Sequence, residues 1–452
     1  MFPTYHQLRV WLQHVIDDKA AQGHVVSGLA AELAQLPDSY DALAEFAERL
    51  AHLPPRADWP YVEPNDLPGI LAECDPARPQ DAPPALDAQE AAARMETAFL
   101  GAVCGCILGK PLEFNADLAT IRAGLEALGE WPLSDYIPER AERQFGREMP
   151  YWNRTYRERI RYVMPDDDIN YIVLGMLLLE EHGADLRTAH VRDAWLKHLP
   201  LASTFGPERM TLVKAGIAFL GDVAGADEED DGDEGGMARW PALLNPRAEM
   251  CGAQIRSHAY GYACPGRPGQ AAQLAWQDAS LTHRRTGVYA TMFTAAAIAA
   301  AAAAREPLQA VETALRFVPQ RSRFHAATSA CLHEVRQATD FLDGYERIHR
   351  RYGEYTHCRI YQEVGTVINS LRFAESVGDG ICKQVMQGND TDSYGAITGS
   401  ILGAYFGPDG LTPRWTARFD DDLRTTLAWF HERSLAAVAR RMGGLAARLR
   451  EG

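Results

Sequence analysis

Gly388-Asn389-Asp390-Thr391-Asp392-Ser393-Tyr394-Gly395, running without a break into AITGSILGAYFG up to Gly407, is the stretch that decides the fold. Two carboxylates at i and i+2, interleaved with hydroxyls, form a dense set of hard oxygen ligands. Behind them Gly395, Gly399, Gly403 and Gly407 recur every four residues, which on a helix places them on one face. Glycine costs about 1 kcal/mol per helical position relative to alanine. Four on one stripe therefore predict a close backbone approach to another element, with the acidic turn at the N-terminal mouth of the helix.

The natural partner lies far upstream. In GAVCGCILGKPLEF, glycines again fall every fourth residue, at 101, 105 and 109, before Pro111 ends the helix and Glu113 follows. A third segment, Met164-Pro165-Asp166-Asp167-Asp168-Ile169-Asn170-Tyr171, reads as a helix start with acids in its first turn, where the macrodipole favours them. Capping accounts for one or two aspartates. If both acidic turns meet in space, the surplus charge calls for divalent cations, and an all-oxygen set selects Mg²⁺, Mn²⁺ or Ca²⁺ over Zn²⁺.

Long alanine- and leucine-rich segments without comparable strand-like alternation predict an all-α protein. The chain of 452 residues exceeds the usual single domain. Helical patterns to about residue 52 and two proline-rich stretches predict a helical extension with a Pro-rich linker over 1–90 and a main helical domain over 91–452. The acidic run 226–236 reads as a surface loop without EF-hand ligand spacing. The apolar run 288–304, mostly alanine, reads as a buried helix and not a membrane span.

A net charge of −16 argues against nucleic acid or an anionic membrane as main partner, though not against a small phosphate-bearing substrate. Eight scattered cysteines with no CxxC pair, and a start unlike a signal peptide, predict a reducing cytoplasm.

The three segments together resemble the ADP-ribosylglycohydrolase family over residues 91–410. The carriers are Gly109-Lys110-Pro111-Leu112-Glu113-Phe114, the acidic turn Asp166-Asp167-Asp168-Ile169, the 388–393 turn with Gly403-Ala404-Tyr405-Phe406-Gly407, and more weakly Ser280-Leu281-Thr282-His283. The resemblance implies a compact orthogonal helical bundle with a central di-metal cleft holding two Mg²⁺, or Mn²⁺. Carried across, the metal ligands are Asp166, Asp167, Asp168, Asp390, Asp392 and Ser393. It implies hydrolysis of the ribosyl C1″ bond of an ADP-ribosyl conjugate, a modified protein or small molecule. Asp390 or Asp167 would orient water, and Glu113 would assist protonation or hold substrate.

Backbone N–H groups at Gly252 and Gly388 suit a diphosphate. Arg256 and Asn389 stand beside them, and Tyr260 and Tyr262 are candidates to stack on adenine. His283 reads as a structural hydrogen bonder. The sequence departs from the family pattern at Cys106 (aspartate is customary), at Asp166 and Ile169 (threonines are usual), and in Cys251-Gly252-Ala253-Gln254-Ile255-Arg256-Ser257. These departures bear on the leaving group more than on the metals. Two further readings stay open: an enzyme for another nucleoside or ribosyl substrate, and a catalytically silent binding or structural member.

Overall fold

The computed structural model describes residues 3–79, 86–114, 117–145, 154–223, 237 and 239–451. Among them the regular structure is helical, with isolated β-bridges such as Val163 to Leu423 and no strand. The expectation of an all-α fold holds. The acidic run 226–236 lies outside the described residues.

The centre is a pair of antiparallel helices, Ala88–Gly109 and Thr391–Phe406. Asp87 caps the first through Gln89 N at 2.7 Å. Gly101 faces the Gly399 carbonyl, Gly105 faces that of Gly395, and Gly109 faces that of Thr391. A Cβ added at any of the three would come under 3 Å from main-chain atoms. The glycine stripes thus meet backbone to backbone, as the spacing predicts. Gly407 closes the second helix at φ +68°, a conformation glycine adopts without strain.

Around this pair lie helices with little polar surface of their own. Every residue of Thr286–Ala301 is buried, and its alanines let Gly261 approach the Ala295 carbonyl. Ala88–Leu112 is long and apolar enough to cross a membrane, but most of it is wrapped by this protein. Tyr361–Phe373 and Val377–Met386 are joined by buried hydrogen bonds of 2.9 Å from Gln387 Nε2 to Ser370 Oγ and from Ser370 Oγ to Gln384 Oε1. A satisfied buried network of this kind fixes register, and here it sits directly before the 388–393 turn.

The N-terminal helices Tyr5–Ala21, Leu29–Gln35 and Tyr40–Ala51 bury Leu12, Ile16, Leu43, Phe46 and Leu50 in an apolar cluster of their own. The proline-rich segment after them is not a free spacer. Its short helix Leu67–Glu73 sends Ile70 into the main core. Glu63 pairs with Arg323 at 2.9 Å, Arg323 also pairs with Glu249 at 2.8 Å, and Val62 N donates to the Arg321 carbonyl.

Candidate active site

Three chain segments, distant in sequence, converge at one end of the glycine-paired helices. Because that pair is antiparallel, the C-terminal end of Ala88–Gly109 meets the N-terminal end of Thr391–Phe406. This brings Lys110 and Glu113 beside Asp390 and Asp392. Phe114 N donates to the Asn389 carbonyl at 3.3 Å, tying the two ends together.

The third segment enters through Asp167–His182. Asp166 is its N-cap, accepting from Asp168 N at 3.2 Å, as helix-start chemistry requires. Ser393 Oγ donates to Asp168 Oδ2 at 3.3 Å across 225 residues of chain. The two acidic turns therefore share one site.

Lys110 stands in the middle of it. Its Nζ lies 2.6 Å from Asp392 Oδ2, 2.7 Å from Asp166 Oδ2 and 2.9 Å from Glu113 Oε2. Burial alone would lower its pKa, but the carboxylates of Asp166, Asp392 and Glu113 outweigh it and hold the ammonium well above the usual lysine range. Burial likewise opposes Asp392, and contact with Lys110 keeps that carboxyl below its ordinary value. Asp167, Asp168, Glu113 and Asp390 move the other way, raised by burial and by their acidic neighbours.

A second layer supports the Asp390 side. Glu363 Oε1 accepts from Asp390 N at 3.1 Å and from Cys358 N at 3.3 Å. Cys251 and Cys358 each donate a thiol to Asp390 Oδ2 at 3.2 Å. Glu113, His357 and Asp390 hold ligand atoms within 4.8 Å of one another. Four of the non-glycine residues with positive φ gather here: Phe114, Cys358, Ile360 and Asn389. Strain of this kind persists only where the surroundings impose it, and it collects at functional sites.

All six expected metal ligands, and the expected catalytic trio of Glu113, Asp167 and Asp390, lie at this convergence. Asp168 Oδ1 and Asp392 Oδ1 are buried without a hydrogen-bond partner. Unsatisfied carboxylate oxygens in a surplus of negative charge fit a hard cation.

The expected substrate-binding residues need correction. Tyr260 and Tyr262 belong to the buried turn His258–Tyr262 and are 0% exposed. Their hydroxyls bond Asp278 Oδ2 at 2.7 Å and Ser400 Oγ at 2.5 Å, so neither ring can stack on a ligand. Arg256 is also buried, held by Glu208 at 2.6 Å, by Asp278, and by Thr282 Oγ1 at 2.7 Å, with Trp195 under its guanidinium. It is a structural hub and not an anion clamp.

The Gly252 carbonyl accepts from Arg256 Nη1 at 3.1 Å, and the Glu208 carboxylate fills the space where a Cβ would stand. The Gly388 N–H caps the preceding helix at the Val385 carbonyl, and Asn389 Nδ2 donates to Gln362 Oε1 at 2.5 Å. These groups build the turn and leave no free N–H of Gly388 for a diphosphate. His283 is structural as expected, its Nδ1 bonded to Thr282 Oγ1 at 2.7 Å.

Sequence reasoning missed Lys110, His357, Glu363 and the Cys251–Cys358 pair as members of the site. A lysine placed inside a glycine-and-acid motif was the one available signal. His357 and Cys358 precede the helix Tyr361–Phe373, Glu363 sits in its first turn, and Cys251 opens a segment that departs from the family pattern, so none of them stood out.

Fold and site define an all-helical protein whose centre is a buried carboxylate cleft assembled from three dispersed turns. The sequence model of ADP-ribosylglycohydrolase matches residues 87–446, and the chain belongs to that family. Among solved structures it is similar to an "ADP-ribosylglycohydrolase-related protein complex", at 18% identity and a TM-score of 0.49, covering 79% of this chain and 99% of that one. No curated protein matches it. The family implies a hydrolase directed at ADP-ribosylated substrates.

Proposed function

We propose that this chain is a divalent-cation-dependent glycohydrolase that cleaves the C1″ glycosidic bond of an ADP-ribosyl conjugate on a protein side chain or small molecule. Family membership supplies the reaction class. The observation that carries the finer reading is the Ser393–Asp168 contact at 3.3 Å, which joins the two acidic turns. The residues fit Mg²⁺ or Mn²⁺, held by Asp167, Asp168, Asp390 and Asp392. When bound, a hard cation supplies charge that holds the ribose diol and makes a nearby water a better nucleophile.

The chain's own residues do the rest. Cleavage at an anomeric carbon passes through an oxocarbenium-like state, which the crowded carboxylates stabilise electrostatically. Asp167, partly exposed, or Asp390, near Glu113 and His357, would orient the attacking water. Glu113, partly exposed beside them, would assist protonation of the leaving group or hold the substrate.

With Tyr260 and Tyr262 in the core, Phe114 offers an aromatic surface beside the site among the described residues. It is 38% exposed and packed on His357 with ring centroids 4.2 Å apart. We assign it to contact with the base or leaving group. A reducing cytoplasm suits eight cysteines that are all free.

The test is release of ADP-ribose from ADP-ribosylated arginine and serine peptides, with a nucleoside panel in parallel. Asp390→Asn and Asp392→Asn should each lower the rate by about 10²-fold or more. Wild-type rates in either variant, with metal affinity unchanged, refute the site. Turnover confined to the nucleosides would redirect the substrate assignment.

A further inference from the structure

We propose that Lys110 is a resident cation of the cleft, and that the site therefore takes one divalent ion where two are expected. The inference rests on the metal-dependent reading above and deepens it.

The Lys110 ammonium, on a residue 6% exposed, touches Asp392, Asp166 and Glu113 oxygens at 2.6, 2.7 and 2.9 Å. Those oxygens come from three separate turns, and two belong to expected metal ligands. Such an arrangement is the coordination of a small cation by carboxylates. A divalent ion held by the same Asp166 and Asp392 oxygens, at about 2.1 Å for Mg²⁺, would sit almost on the ammonium. Two positive charges at that distance repel strongly in a site shielded from water. Lysine and ion compete for one place.

Charge balance still asks for another cation. Glu113, Asp166, Asp167, Asp168, Asp390 and Asp392 bring six carboxylates against this one ammonium. The oxygens that Lys110 and Ser393 leave unused, Asp392 Oδ1 and Asp168 Oδ1, are buried and unpartnered. They are the hard oxygens still open to a divalent ion. Cys106, one helical turn before Lys110, presents a thiol to Asp166 and Asp168 within 4.8 Å. A thiol adds no hard oxygen there, which again disfavours a second ion. With its ammonium in one of the two expected cation places, Lys110 leaves the other for a single ion.

Manganese binding to the full chain tests this by calorimetric stoichiometry and low-temperature electron paramagnetic resonance. The wild-type protein should bind one Mn²⁺ with the six-line signal of an isolated ion. Lys110→Met should bind two with an exchange-coupled signal, while Lys110→Arg, which keeps the charge, stays at one. Two coupled ions in the wild-type chain overturn the inference and leave the metal reading standing. No binding at millimolar manganese removes both. A Lys110→Met chain with native circular dichroism that still binds one ion also overturns it. Should that variant not fold, the wild-type count decides alone.

Discussion

Replacing Gly105 with alanine inserts one methyl group where the Ala88–Gly109 and Thr391–Phe406 helices touch. The added Cβ falls under 3 Å from the Gly395 carbonyl group. That neighbour is main chain inside a helix, so it cannot swing aside as a side chain would. Alanine returns about 1 kcal/mol of helix propensity, whereas overpacking a tight core costs about 1–3 kcal/mol, with more expected against backbone. A net loss of about 2 kcal/mol follows when the contact is rigid. At roughly 2.1 cal/mol/K of unfolding entropy per residue, a chain of this length should lose about 2 °C in Tm.

Gly216 is the matched control. It lies within Gly206–Val223, and nothing stands within 4 Å of its added Cβ. Gly216→Ala should therefore stabilise by up to about 1 kcal/mol. Calorimetric and urea unfolding of the two variants give opposite signs if the glycine contact is real. Gly105→Ala should also weaken hydrolysis at temperatures where it remains folded, because the same contact sets Lys110 against Asp392. A Gly105→Ala protein that gains stability as Gly216→Ala does would refute the backbone contact.

Two other outcomes follow from the core. Arg256→Met leaves Glu208 and Asp278 buried without their counter-charge, which should cost about 3–5 kcal/mol in urea unfolding; a loss under about 1 kcal/mol would return Arg256 to the substrate-binding candidates. The pH dependence of stability should carry the mark of His258, which is buried, bonded to Ser400 Oγ at 2.7 Å, and pushed by burial from 6.5 down to about 3. Between those values the unfolded chain binds the extra proton, so stability rises with pH there, is complete above about 6.5, and falls away as pH drops toward 3. By pH 5 this residue alone should remove about 2 kcal/mol. His258→Gln should flatten the slope by about one proton, and an unchanged slope would exclude this origin.

The glycine pairing was readable because both partners carry the same four-residue period, and only main-chain contact explains it. The acidic turns were readable because three adjacent aspartates exceed what a helix cap uses. Arg256 misled because it stands beside Gly252 in a segment set against a glycine-rich family element, and the two tyrosines because HAYGYACPG is rich in glycine and aromatics. Folding turns it into a helical turn, whose hydroxyls satisfy Asp278 and Ser400 from inside. Cys251 and Cys358 meet through a turn with positive φ at Cys358 and Ile360, and neither residue type announces such a conformation. Lys110 hid for another reason. A lysine at a helix C-terminus ordinarily answers the dipole, and two of its three acidic partners, Asp166 and Asp392, reach it only in the folded chain.

The proline-rich segment has a practical consequence for anyone who would isolate the hydrolase unit. A cut placed at residue 90, where composition invites it, discards Glu63 and strands the positive charge of Arg323 beside Glu249 alone. It also uncovers the wall that Ile70 seals. Prolines here work as mortar between two bodies of masonry, and a trimmed enzyme would carry the break on its flank.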